Sequence, residues 1–252
     1  MKVLLAGATG AVGRPLVPLL LAAGHEVTGI TRSRDRARDL AAAGVRPVVA
    51  DVLDAGAVRD VVAADPPDAV LHQLTDLGAR DPAANARIRR AGTAALVDAA
   101  LAAGVELMVA QSIVWVYEPG TVPATEADPL DLGAPPPRAV TIAGVAALEA
   151  AVARMPRGVV LRDGTLYGPG TWYQDDAALA AYAATMRAAA EPQTIAPLHV
   201  DDAAAAAVAA LDWPPGPVNV VAGATLAGRP VDGSRARELG WAPHHAAPSW
   251  VM

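Results

Sequence analysis

The chain contains no cysteine and no phenylalanine. Without cysteine there are no disulfides, thiolate nucleophiles or cysteine-held metals, and redox chemistry does not restrict the compartment. Without phenylalanine, and with aromatics at 4% of residues, the core must be packed from Leu, Val, Ile, Ala and a few Trp and Tyr. A surplus of positive charge is also missing. The formal net charge is -6, so no broad field favours nucleic acid. Long apolar runs are absent too. "MKVLLAG" breaks at Gly7, too early for the apolar region of a signal peptide, and "AAAAAVAAL" at 203–211 is too short to span a bilayer. The expectation is a soluble, cytoplasmic protein with no membrane or nucleic-acid partner.

What is present is an alternation of short apolar strands and helices over 252 residues. Strands are predicted at 2–6, 26–31, 46–51, 68–74, 105–111 and 158–164. Helices are predicted at about 11–23, from 34 to a stop at Gly44, and at 177–190. This order predicts an α/β fold, a Rossmann-type doubly wound parallel sheet covered on both faces, with a small C-terminal substrate lobe. One domain, 1–252, is expected. Its core would be about 1–163 plus 195–222, and its lobe about 164–194 and 223–252. The Pro- and Gly-rich stretch 118–138 reads as a surface loop beside the crevice.

"LLAGATGAVGRPL" places Gly7, Gly10 and Gly13 between the first strand and the first helix. A pyrophosphate site needs a tight turn, close backbone approach and the free N–H groups of a helix start. Thr9, Ala11 and Val12 complete that turn. The end of the second strand selects the dinucleotide. An NAD site usually holds a carboxylate there. Here Thr31, Arg32, Ser33 and Arg34 follow, with no acid and two guanidiniums for a 2′-phosphate, so NADP(H) is expected over NAD(H). Arg32 and Arg34 can also be read as solvated residues of a first helical turn. Asp51, followed by Val52, is placed to meet the adenine, and Gln73 and Leu74, at the end of the fourth predicted strand, are further candidate cofactor contacts.

These motifs resemble the extended short-chain dehydrogenase/reductase superfamily, in particular its NAD-dependent epimerase/dehydratase branch. "GATGAVG", "ADVLD" (50–54), "VLHQLT" (70–75), "GTAALVDAA" (92–100), "VVLRDGTLYGPG" (159–170), "LHVDD" (198–202) and "ARELGWAP" (236–243) carry the resemblance in order along the chain. The resemblance implies a nicotinamide-dependent enzyme with a small-molecule substrate. A second copy of the chain is left open as a partner.

Against that pattern, several positions depart. The family's catalytic helix reads Tyr-x-x-x-Lys with a glutamate four residues later. Glu149 keeps the glutamate, which puts Val145 at the lysine and Thr141 at the tyrosine. The family's active-site serine position falls on Ile113, with Ser112 one residue away. An asparagine of the family is Arg89 here. A threonine hydroxyl is a poor acid or base near neutrality, and valine carries no charge. Thr141 is expected to line the pocket without transferring the proton. Tyr117, Tyr167, His72 and Ser112 are the candidates to replace the lost pair. Trp115, Tyr117, Tyr167, Trp172 and Tyr173 are the candidate substrate wall. Each has a plainer reading: pocket shaping for the tyrosines, a hydrogen-bonded wall residue for His72, core filling for the tryptophans. His199, Asp201 and Asp202 look like metal ligands, but the acids precede a helix and can cap it, and no metal is expected. His244 and His245 read as a Pro-flanked tail. The two functional readings are an NADP(H)-binding enzyme with a non-family acid/base acting on a small hydrophobic molecule, by redox or by redox-neutral epimerisation, dehydration or cyclisation, and a non-catalytic dinucleotide-binding sensor or scaffold.

Overall fold

A computed structural model describes residues 1–75, 81–189 and 193–245. Its main sheet has seven strands: β1 (Lys2–Ala6), β2 (Glu26–Thr31), β3 (Arg46–Val49), β4 (Ala69–His72), β5 (Leu107–Ile113), β6 (Arg157–Asp163) and β9 (Gly216–Val220). All are parallel, in the order β3-β2-β1-β4-β5-β6-β9. The order reverses between β1 and β4. In open parallel sheets that switch point is where ligands bind, beyond the strand C-termini. A second, two-stranded sheet pairs β7 (Thr165–Tyr167) with β8 (Pro197–His199).

Both faces of the main sheet are buried, and alternate strand residues divide between them. Val3, Leu5, Leu71, Val109, Val159 and Leu161 pack with Leu16 and Leu20 of α1 (Gly13–Ala22) and with the alanines of α8 (Val200–Ala209). Leu4, Val70, Met108, Ala110 and Val160 pack on the other face. Their partners are Val58 and Val62 of α3 (Ala55–Ala64), Leu96 of α5 (Thr93–Ala102), and Leu148 and Val152 of α6 (Arg138–Val152). Each fully buried leucine contributes roughly 1.5–3 kcal/mol by leaving water. Trp213 and Trp241 fill the first face in place of phenylalanine.

The six expected strands are present within two residues at each end. Strand β9 was not anticipated, because "PPGPV" reads as a turn. It is an edge strand, where Pro217 need not donate to a ladder; Pro47 occupies the other edge, in β3. Helix α2 (Arg34–Ala42) is capped by Ser33, whose side chain accepts the Arg36 N–H. Helix α7 (Asp176–Arg187) is shorter than the expected 177–190; residue 190 and the tail from 246 lie outside the described residues. The stretch 118–138 is held in place as well as exposed. Ala124 bridges to Val231, and Arg229 donates to the Val122 and Glu118 carbonyls and pairs with Asp128 at 2.6 Å. No helix among the described residues is long and apolar enough to cross a membrane.

Candidate active site

The nucleotide end is built from the turn after β1. Gly7 has φ +103°, a conformation that only glycine adopts freely, and its carbonyl accepts the Gly10 N–H at 2.9 Å. A Cβ on Gly13 would lie 2.1 Å from that same carbonyl, so the helix can start this close only with glycine there. Helix α1 has neither a side-chain cap nor an acid in its first turn; the Arg14 and Leu16 N–H groups bond back to the Gly10 and Val12 carbonyls and Pro15 has none, which leaves the Gly13 N–H available to an anion. Across the switch point, the Gln73 N–H binds the Ala6 carbonyl at 2.8 Å. The Gln73 side chain is 4% exposed, and both its amide oxygen and nitrogen lack partners among the described residues. A buried amide left wholly unpaired is costly in a finished core. Beside an open turn it fits a bound dinucleotide that supplies the missing partners. Gly7, Gly10, Gly13 and Gln73 are therefore the residues that would hold the pyrophosphate half.

Two arginines that sequence reading did not single out lie over this turn. Arg14 donates through Nε to the Thr9 carbonyl at 3.2 Å, and Arg36 through Nη1 to the Thr9 hydroxyl at 3.5 Å. Their signal was available, since Arg14 follows the third glycine directly and Arg36 lies in the first turn after Ser33. Arg32 and Arg34 are exposed. Buried Thr31 accepts the Ser33 N–H through its hydroxyl at 3.2 Å. Asp51 accepts the Leu53 N–H at 3.0 Å. Val52 is buried and touches the helix carrying Gly92, where a Cβ would come within 3.1 Å of it. Ala11 faces the incoming 168–170 loop, since a Cβ on Gly170 would be 3.7 Å from it, whereas Val12 is buried in the core under α1. Leu74 donates its N–H to His72 Nδ1 at 3.3 Å.

The other half is closed by its own hydrogen bonds. The Ser112 hydroxyl donates to Glu149 at 2.8 Å. Arg162 holds the same carboxylate from two nitrogens, at 3.0 and 2.6 Å. Arg162 also donates to the Tyr117 hydroxyl at 2.8 Å and lies over the Tyr117 ring, 4.9 Å from its centre. The Tyr117 hydroxyl donates to Asn219 at 2.6 Å. Burial works against the Arg162 charge, but its bonds and charge pairing with Glu149 outweigh that and raise its pKa. Burial also raises the Tyr117 pKa, with Arg162 acting the other way. Ser112 and Tyr117 thus belong to a buried network joining β5, β6, α6 and β9, and both hydroxyls already donate within it.

His72 is 1% exposed. Its Nδ1 accepts from Leu74, so Nε2 carries the proton and donates to Thr93 at 2.8 Å. Burial, and then the charge of Arg89, hold its pKa down at about 4, so the ring is neutral. Val145 is fully buried in an apolar cluster with Val116, Ala134 and Ile142, packed against Ile113 and Trp115. No other lysine can serve in its place. The chain's one lysine, Lys2, pairs with Asp65 at 2.7 Å at the opposite end of β1. Thr141 is half-buried one turn before Val145.

The expected substrate wall is divided among separate clusters. Tyr117 packs with Val114, Ala124 and Val221, Tyr167 with Leu179 and Ile195, and Trp115 with the Val145 cluster. Tyr167 meets His199 edge-on at 5.1 Å, and Tyr173 stacks on Tyr182 at 4.7 Å. Trp172 is 43% exposed, the most open of these rings. His199 rather than an acid caps α8, accepting the Asp201 N–H at 3.2 Å. His245, expected to be idle, stacks on His199 at 3.8 Å, and Asp202 accepts the His244 and His245 N–H groups. The ligand-type atoms of His199, Asp201 and His245 lie within 4.8 Å of one another. His199 spends Nδ1 on the cap, and its Nε2 lies 2.6 Å from where a Cβ on Gly168 would stand.

The sequence model of the NAD dependent epimerase/dehydratase family matches residues 3–222. The chain belongs to this family. It is an NAD(P)-dependent enzyme of the oxidoreductase or isomerase kind, and its cofactor is a nicotinamide dinucleotide. Among family relatives, a protein named 3-diazoavenalumate denitrifying reductase, from a Streptomyces species, is 43% identical over 258 residues, covering 98% of this chain and 81% of the relative. The fold is shared with UDP-glucose 4-epimerase from Thermotoga maritima, solved with UDP-glucose, at a TM-score of 0.78 and 17% identity over 98% of this chain and 94% of that one. It is also shared with Pal from Bacillus thuringiensis, at a TM-score of 0.80 and 19% identity over 100% and 96% of the two chains.

Proposed function

We propose that this enzyme is an NADP(H)-dependent reductase that removes the nitrogen of a diazo group from a small aromatic carboxylate. The observation that carries this reading is the emptied catalytic pair, Thr141 and Val145, beside an intact nucleotide turn. Reducing a carbonyl consumes a hydride and a proton, and the proton needs a positioned acid. Reducing an aryl diazonium replaces dinitrogen by hydride and consumes no proton. A site that has lost its acid but kept its dinucleotide turn is matched to the second reaction. The name of the Streptomyces relative describes chemistry of this kind, and its 43% identity supports the reading.

When bound, the dinucleotide supplies the hydride. The protein's own residues position and shield. Gly7, Gly10 and Gly13 admit the pyrophosphate, and Gln73 meets it across the switch point. Arg14, Arg36 and Arg32 favour a 2′-phosphate, with Thr31 standing where an acid would repel it. Val145, Ile113 and Trp115 keep water away from the reacting carbon. Residues 164–189 and 223–245, with Trp172, form the substrate side in this reading. Proton transfer by Tyr117, Ser112 or His72 has no part in it.

The test is anaerobic turnover of NADPH with 4-carboxybenzenediazonium, following absorbance and released gas. One dinitrogen per NADPH is expected, with no reduction of 4-carboxybenzaldehyde under the same conditions. Reduction of the aldehyde at a comparable rate, or NADPH oxidation without dinitrogen, overturns the reading.

A further inference from the structure

The described core contains two buried arginines, Arg89 and Arg162. Arg162 is held on both nitrogens by Glu149. Arg89 is 4% exposed, yet no carboxylate or hydrogen-bond acceptor among the described residues is paired with it. Burial alone lowers its pKa, to about 10, so it stays charged at neutrality. A desolvated guanidinium with no counter-charge is among the costliest groups a fold can keep. It also offers five fixed donors, suited to phosphate or carboxylate oxygens.

The position of Arg89 is defined from several sides. It lies in a π-helical turn, Ile88–Gly92, between α4 (Pro82–Arg87) and α5. Such turns are often found at functional sites. Helix α4 meets α6 closely, where a Cβ on Gly144 would stand 2.9 Å from Ala86. One turn beyond Arg89, on the same helix face, Thr93 binds His72 at the C-terminal end of β4. Gly92 lies against Val52, after β3. Arg89 therefore sits above the strand ends, between α6 and the β4 terminus, on the side where Gln73 is also left without partners. The neighbouring His72 is neutral and cannot compensate it, and Val145 contributes no charge.

We propose that Arg89 is an anion-binding residue, whose guanidinium receives the anionic group entering the crevice at the β1/β4 switch. That anion is either a phosphate oxygen of the dinucleotide or the carboxylate of the substrate. The proposal rests on the reading above only for the identity of the anion.

The test is calorimetric titration of wild type, Arg89→Met and Arg89→Lys with inorganic pyrophosphate, NADPH, 4-hydroxycinnamate and its neutral methyl ester, with thermal melts of the unliganded proteins. Arg89→Met is expected to melt no lower than wild type, because an unpaired charge leaves the core. It is expected to bind at least one anion tenfold or more weakly, and Arg89→Lys to recover part of that loss. Parallel losses for pyrophosphate and NADPH assign the dinucleotide phosphate. A loss for the cinnamate alone, with its ester and NADPH unchanged, assigns the substrate carboxylate. Equal affinities of wild type and Arg89→Met for every anion, or no anion binding by either, overturn the proposal. A wild type that binds pyrophosphate through Arg89 but no NADPH would refute the proposed function and leave this inference standing.

Discussion

The two halves of the crevice treat their polar groups in opposite ways. Around the β1–α1 turn and the end of β4, groups are left open among the described residues: α1 has no side-chain cap, the Gln73 amide has no partner, and Arg89 has no counter-charge. Around α6, β5 and β6, Ser112, Glu149, Arg162, Tyr117 and Asn219 close on one another, and Asp163 at the end of β6 is the exception, with its Oδ1 unpartnered among the described residues. A fold does not retain unsatisfied buried groups for its own stability. The open half marks where ligands supply the missing bonds. The closed half has largely become structure.

The contrast can be broken from the open side first. Gly10→Val is expected to abolish dinucleotide binding while the sheet stays folded, because a Cβ there already stands 3.2 Å from the Gly7 carbonyl and a branched side chain would fill the phosphate space. Unchanged calorimetric affinity would move the phosphate site elsewhere. From the closed side, Glu149→Ala leaves Arg162 buried without its partner and should cost about 3–5 kcal/mol in urea unfolding. A loss below about 1 kcal/mol would show that the network is not structural, since that is the value of an exposed pair.

His72 tests the boundary between the halves through pH. Its folded pKa of about 4 lies below the ordinary histidine value of 6.5. Between those values the unfolded chain binds a proton that the folded one does not. Its contribution is therefore complete above pH 6.5 and is lost as pH falls toward 4, by up to about 3 kcal/mol. His72→Asn should flatten that part of the stability–pH curve; an unchanged slope would contradict the neutral, buried assignment. A smaller effect belongs to the turn arginines. Arg32→Ala or Arg36→Ala should weaken NADP(H) by about 1.5–3 kcal/mol, the scale of a hydrogen bond to a charged group, and leave NAD(H) unchanged. Equal losses for both dinucleotides would remove the case for a 2′-phosphate site.

The open half was far more legible in the sequence than the closed one. Gly7, Gly10 and Gly13 act through local backbone chemistry, so a short stretch is enough to read them. The six strands were legible for a similar reason, as apolar runs set between turns, while β9 was hidden by prolines that an edge strand tolerates. Tyr117 and Ser112 looked like free hydroxyls because their partners are remote in the chain: Tyr117 and Asn219 are 102 residues apart, and Ser112 and Glu149 are 37. Arg89 was noticed only as a departure from the family pattern; that it is buried and uncompensated needed the packing of α4 against α6. His245 was dismissed as tail because nothing local predicts its stacking on His199.

The central claim is that the emptied half no longer transfers a proton, and Thr141 is where this is tested most directly. The measurement is steady-state turnover of Thr141→Val against wild type, with NADPH and a diazo-bearing aromatic carboxylate. The account predicts a change in kcat of less than about tenfold, below the range for a positioned acid or base. A fall of several hundredfold, with KM and folding intact, would show that the threonine is the catalyst and would contradict the account.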